Sequence, residues 1–146
     1  MRGKVSGAWL GSRKVWLILA LAASMLLTGW LLRPDPRVAA LNSALESIPA
    51  LRDYPYPFRV LRVEGPVAVV STPRSPAMPA FRVIWAIHPE LRQAAFDSPA
   101  YQAAQQEISQ MQKLTRLTVE AQPGIEQVHW ELDMDWLAQH AQSPQD

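Results

Sequence analysis

The sequence contains no cysteine, and this absence excludes several kinds of chemistry. A disulfide framework, a lipoprotein anchor and a thiol nucleophile all require that residue. Any folded part must therefore be held together by its hydrophobic core alone. Glycine is also scarce, with six residues in 146. None of these glycines forms a P-loop or a G-x-G-x-x-G loop, so no phosphate-binding cradle is predicted.

Signatures of other enzyme classes are missing as well. The sequence has no G-x-S-x-G nucleophile elbow, and its three histidines do not form an H-E-x-x-H pair. Scattered arginines and an acidic balance in the C-terminal part disfavour binding to nucleic acid. We therefore assign no catalytic residue and no cofactor, and the composition favours a non-enzymatic role.

One long apolar run is present, from Val15 to Leu32. As a helix it would be roughly 27 Å long, close to the thickness of the hydrocarbon core of a bilayer. A cleaved signal peptide is the main alternative, but the A-x-A-like sites at Ala20–Ala22 and Leu21–Ala23 lie inside the run. The pattern therefore predicts an uncleaved signal anchor, a single transmembrane helix over 15–32.

Charge predicts the orientation of this anchor. The basic residues Arg2, Lys4, Arg13 and Lys14 precede the run, whereas all 13 acidic residues follow it. By the positive-inside rule, residues 1–14 form a basic cytoplasmic tail. The expected location is the bacterial inner membrane, with residues 33–141 as a periplasmic domain and 142–146 as a disordered C-terminus.

Small residues recur at every fourth position of the apolar run, at Ala20, Ser24 and Thr28. They share one helical face, and small side chains let a second helix approach closely in a membrane. In one interpretation the helix only anchors the chain in the membrane and contacts no other helix. The second interpretation makes these three residues a partner-binding face.

The positions of prolines and helix-capping residues along the chain predict an α+β domain with an antiparallel sheet and two or three helices packed on one face. Asp35-Pro36 and Ser98-Pro99 each predict a helix start, where a capping side chain precedes a proline. The predicted helices cover 36–48, about 90–96, and 99–115. The predicted strands cover 58–64, 67–72, 81–88, about 116–121 and about 127–136.

The last predicted strand carries a row of polar residues. In a strand alternate side chains share a face, so one side would carry His129, Glu131, Asp133 and Asp135. Three interpretations stay open: a divalent-cation site with His88 as an extra imidazole, an acidic surface that binds a partner, and a solvated face. In the solvated face, the acids pair with Arg59, Arg62 or Arg82.

The spacing Asp133-x-Asp135 is similar to the paired metal-binding aspartates of nucleotidyltransferases. The Gly-Ser loop that holds the triphosphate in those enzymes has no counterpart here, since only Pro123-Gly124-Ile125 precedes the pair. This activity is therefore disfavoured.

These patterns together predict a membrane-anchored, non-catalytic accessory or interaction subunit of a bacterial envelope assembly. Its expected partners are the lipid bilayer and another membrane or periplasmic protein, with Tyr54 and Tyr56 of the Tyr-Pro-Tyr-Pro segment as further contact residues. The alternative is a periplasmic domain that binds a small ligand or a divalent cation through the row His129–Asp135.

Overall fold

The computed structural model describes the backbone of residues 9–31 and 35–140, and the side chains of residues 15–29 and 35–140. The chain divides into two units, Met1–Pro34 and Asp35–Asp146. Most of the predicted basic tail and all of the predicted disordered C-terminus lie outside the described residues.

The first unit contains helix α1, Trp9–Leu31. Among the described residues, no helix is both long enough and apolar enough to cross a membrane. This finding contradicts the predicted transmembrane helix over 15–32. It also contradicts the signal anchor and the inner-membrane location with a periplasmic domain, which both depended on that helix.

Ala20, Ser24 and Thr28 all lie on α1 and are exposed. Their spacing of four residues places them on one face of the helix, as the sequence indicates. Binding of another helix to this face stays a prediction.

The second unit is an α+β arrangement, in agreement with the predicted class. Its described residues form five α-helices, one 3-10 helix and three strands. They are α2 Pro36–Glu46, α3 Pro49–Arg52, β1 Val60–Glu64, β2 Val67–Thr72, α4 Ala80–Ile87, the 3-10 helix Pro89–Gln93, α5 Pro99–Glu120, β3 Gln127–Leu132 and α6 Met134–His140.

Two helix starts agree with their capping signals. The Asp35 side chain accepts a hydrogen bond from the Arg37 backbone N–H at 2.8 Å, and Pro36 is the first residue of α2. Ser98 accepts from the Tyr101 N–H at 3.3 Å, ahead of Pro99 in α5. Both caps satisfy backbone donors that have no partner inside the helix.

The sheet is mixed, so the prediction of an antiparallel sheet is wrong. Its order is β1-β2-β3, with β1 and β2 antiparallel and β2 and β3 parallel. Gly65, in the turn between β1 and β2, has φ +60°, a conformation that favours glycine. The parallel pairing arises because the chain between β2 and β3 crosses over through α4 and α5.

Two predicted strands are helical, for a common reason. The segment 81–88 lies almost entirely in α4, and 116–121 is the end of α5. A short apolar run is compatible with both the 3.6-residue period of a helix and the two-residue period of a strand. The side chains that are buried in the folded chain then distinguish the two. In α4 the side chains of Val83, Ile84 and Ile87 are buried together, which only the helical period allows.

The predicted strand 127–136 is also shorter than expected. β3 ends at Leu132, and α6 begins at Met134. The Asp133 carboxylate accepts a hydrogen bond from the Trp136 backbone N–H at 3.0 Å and thereby caps the helix. Asp133, which the alternation places in the predicted strand, is therefore the capping residue of a helix.

The core lies between the helices and one face of the sheet. On that face the alternate residues Val60, Ala68 and Val70 are buried within the main hydrophobic cluster. Helices α2 and α5 contact β1 and β3 respectively, and they also contact each other. The opposite sheet face exposes polar side chains, with Val69 buried beneath them.

Candidate interaction surfaces

The outer face of the sheet carries a row of ion pairs. Arg62 of β1 donates to Glu131 of β3 across the central strand at 2.6 Å, and to Glu64 on its own strand at 2.6 Å. The hydrogen bond with Glu131, and then that with Glu64, raises the pKa of Arg62. His129 lies on the same face and is exposed. This arrangement matches the solvated face of paired charges, one of the three interpretations left open.

Asp133 lies apart from that row because its side chain is buried. Its carboxylate is 7% exposed and accepts from Arg59 at 3.0 Å and from the Tyr56 hydroxyl at 3.3 Å. Together with the cap on Trp136, these bonds occupy both carboxylate oxygens. Asp133 therefore joins β3, α6 and the segment before β1, and it has a structural role.

The structure does not assemble the predicted cation site. Asp135 is exposed in the first turn of α6, beyond the end of the strand. His88 has Glu90 and Glu107 as its charged neighbours, each at 3.2 Å, rather than the acids of β3. In the described ranges 15–29 and 35–140, no three His, Asp or Glu side chains converge to hold a metal ion.

The two tyrosines of the Tyr-Pro-Tyr-Pro segment are core residues. Tyr56 is fully buried, with its ring centroid 4.8 Å from that of Phe58 and 4.9 Å from that of Trp136, both edge-on. Tyr54 is buried too and stacks on Phe58 at 6.1 Å. Burial raises the pKa of both phenols well above the usual range. Neither ring is available on the surface of this unit.

A group of four aromatic side chains reaches the surface elsewhere, and we call it the aromatic cluster: Phe81, Trp85, Phe96 and Tyr101. Neighbouring ring centroids are 4.8 Å apart for Phe81–Trp85, 6.3 Å for Trp85–Phe96 and 5.2 Å for Phe96–Tyr101. Tyr101 is buried at the base, Phe81 and Trp85 are half-buried, and Phe96 is 60% exposed. The cluster is an apolar surface built from three different elements of the chain.

The helical period of α4 explains why Phe81 and Trp85 lie side by side, partly buried at the margin of the core. Val83, Ile84 and Ile87 face the core, whereas Phe81 and Trp85, four residues apart, share another side of the helix. A helix that is apolar on more than one side needs a second surface to cover it. Sequence reasoning missed this feature because a strand places Phe81, Val83, Trp85 and Ile87 on one face. The signal that identifies it is the nearly unbroken apolar run after Pro79.

A cavity of about 430 Å³ lies between α4 and α5. Its polar lining includes Arg74, which donates to the Ser109 hydroxyl at 3.3 Å. Val83, Ile84 and Ile108 contribute apolar surface. Its size lies within the range of small-molecule sites, and it combines one cation with an apolar wall.

Comparison of this chain with family models, with curated proteins and with solved structures finds no match.

Proposed function

We propose that residues 35–140 form a non-catalytic interaction subunit that binds a protein partner through the aromatic cluster. The single observation that carries the proposal is the exposure of Phe96, 60% exposed and in contact with the rings of Phe81, Trp85 and Tyr101. An aromatic side chain already held by neighbouring rings loses little conformational freedom when a partner covers it.

The chemistry of this surface specifies the kind of partner. Aromatic residues are enriched among the few residues that supply most of the binding free energy in protein interfaces. A tilted group of rings offers both faces and edges, so it suits an aliphatic or aromatic side chain inserted from a partner protein. We therefore propose a protein with an exposed apolar anchor.

A photo-crosslinking amino acid placed at position 96 tests the proposal in the full chain, expressed in its source cells. The matched control is position 117, since Leu117 is also an apolar residue and is 51% exposed. We expect position 96 to yield one discrete crosslinked protein and position 117 to yield none. We also expect Phe96→Ala to weaken binding of that protein by about tenfold, the loss typical of a central aromatic contact.

Two results would contradict the proposal. Equal labelling from positions 96 and 117 would indicate unspecific contacts. A crosslink from position 96 to residues 1–34 of the same chain would show that the cluster is covered internally.

The cavity between α4 and α5 supports a second candidate function, the binding of a small anionic ligand. Arg74 would pair with a carboxylate, while Val83, Ile84 and Ile108 would contact an apolar tail. We expect hexanoate to raise the Tm by roughly 2 °C or more near saturation, because a ligand that binds only the folded state stabilises it. Hexylamine, which has the same tail and the opposite charge, should have no such effect.

Arg74→Gln should abolish the shift with hexanoate, whereas Arg116→Gln, an exposed arginine outside this cavity, should preserve it. Loss of the shift in both variants, or an equal shift with hexylamine, would reject the ligand site.

A further inference from the structure

The outer edge of β3 presents backbone groups with which no described strand pairs. In this parallel pair alternate residues of β3 bond to β2, as the bonds from Gln127 N–H to Pro66 (3.3 Å) and from Asp133 N–H to Thr72 (2.9 Å) show. The N–H and C=O groups of the intervening residues therefore point away from β2. Those residues are Val128, Trp130 and Leu132, and because β3 is the last strand on that side of the sheet, no described strand pairs with them.

The opposite edge of the sheet, formed by β1, is protected against pairing with another strand, whereas the edge formed by β3 is not. The register of β1 shifts between Val60 and Arg62, a bulge that interrupts a regular edge. The Asn42 side chain also bonds both backbone groups of Val60, donating to its C=O at 3.0 Å and accepting from its N–H at 2.7 Å. β3 has a continuous register and no proline, and no side chain among residues 35–140 clamps its backbone in this way. Natural sheets protect an edge in these ways when it must not pair.

We propose that β3 pairs with β3 of a second copy of this chain, antiparallel and about a twofold axis at Trp130. The two three-stranded sheets then form one sheet of six strands, in the order β1-β2-β3-β3-β2-β1. An isologous contact of this kind uses the same strand twice and closes without further growth.

The number of backbone bonds selects this register. With Trp130 opposite Trp130 of the second copy, Val128 lies opposite Leu132, and Leu132 opposite Val128. Each of these pairs exchanges two N–H···O=C bonds, so every outward group of both strands is satisfied. A shift by one pair of residues in either direction leaves some of these groups without a partner.

The side chains agree with the same register. On the outer face His129 lies opposite Glu131 of the second copy, and this pair occurs twice, so an imidazole meets a carboxylate each time. Shifting the centre to Glu131 would place two carboxylates against each other. On the inner face the opposing residues are all apolar, namely Val128, Trp130 and Leu132.

The surroundings of the edge leave room for a second strand. An open cavity of about 250 Å³ lies beside Trp130, lined by Gln112, Lys113 and Arg116 of α5. Trp130 is only half-buried within its own chain. Arg62 remains bonded to Glu131, so each carboxylate would connect β1 of one copy with His129 of the other.

Single cysteines test the register directly, because the chain has none of its own. His129→Cys and Glu131→Cys are prepared as separate full-length proteins, mixed and oxidised. In the proposed pairing residues 129 and 131 face each other at a Cα separation of about 4.5 Å, within the range of a disulfide, whereas two copies of residue 129 are too far apart. We expect the mixed sample to give the disulfide-linked dimer as its main product. Each variant alone should give little dimer.

Gln127→Cys mixed with Glu131→Cys is the matched control, since residue 127 faces residue 133 in this register. Sedimentation of the unmodified chain should give twice the monomer mass at high concentration, and His129→Glu should raise the dimer Kd by about fivefold, because it opposes like charges. A monomer at all concentrations would overturn the proposal. Equal crosslinking in all mixtures, or a dimer linked mainly through two copies of residue 129, would also overturn it.

Discussion

Replacement of Tyr56 by alanine is expected to lower the free energy of unfolding by about 4 kcal/mol, the loss typical of a large buried aromatic side chain. Tyr56 is fully buried, and its ring contacts the rings of Phe58 and Trp136 edge-on. Alanine would leave a cavity between these rings, because Phe58 in the segment before β1 and Trp136 in α6 are held by their own backbones and can move inward only a little. Urea denaturation of the full chain, followed by tryptophan fluorescence, measures the effect.

Two further variants separate the contributions of Tyr56. Tyr56→Phe keeps the ring and removes only the hydrogen bond to Asp133, so we expect a loss of about 1 kcal/mol. Phe96→Ala removes an exposed ring and should change stability by roughly 0.5 kcal/mol or less. A loss below about 1 kcal/mol for Tyr56→Ala would contradict the position of this ring in the core.

Replacement of Asp133 by alanine is expected to cost about 3 kcal/mol. The change removes the cap of α6, typically worth about 1 kcal/mol. It also leaves the buried Tyr56 hydroxyl without its acceptor, which costs roughly 1–3 kcal/mol more. The ion pair with Arg59 contributes little, because more than half of the Arg59 side chain is exposed to solvent.

Neighbouring variants serve as controls for Asp133. Asn at this position can still accept from the Trp136 N–H, so Asp133→Asn should cost less than half as much as Asp133→Ala. Asp135→Ala changes an exposed carboxylate in the same helix turn and should cost only about 0.5 kcal/mol. If Asp133→Ala and Asp135→Ala lowered the free energy of unfolding equally, the structural role assigned to the buried Asp133 carboxylate would be wrong.

The row His129–Asp135 shows how far sequence reasoning reaches at a candidate site. The alternation from 127 to 132 is a local property of the strand, so the shared face of His129 and Glu131 follows from it. The choice of Arg62 as the partner of Glu131, among the three arginines that the sequence allowed, depends on how the strands align. Asp133 breaks the alternation because its carboxylate satisfies the first turn of a helix. The residue type alone does not distinguish an aspartate that caps a helix from one within a strand. The two differ in whether the chain that follows is helical or extended.

The aromatic cluster shows the opposite limit. Phe81 and Trp85 are adjacent in the helical period and also alternate in the strand period, so the pattern alone permits both. Phe96 and Tyr101 join them from the chain after the 3-10 helix and from α5. Such a surface depends on distances between elements, and no local pattern encodes it.

The α+β class, the helix starts at Asp35-Pro36 and Ser98-Pro99, and the hairpin turn at Gly65 could all be predicted from local patterns, because each depends on neighbouring residues. Local patterns did not predict that α4 is a helix, that β3 lies parallel to β2, or that Tyr56 and Asp133 are buried together. These features depend on contacts between residues that are 77 positions apart in the case of Tyr56 and Asp133. Their free energy comes from burying apolar surface between distant segments, which local propensity does not measure.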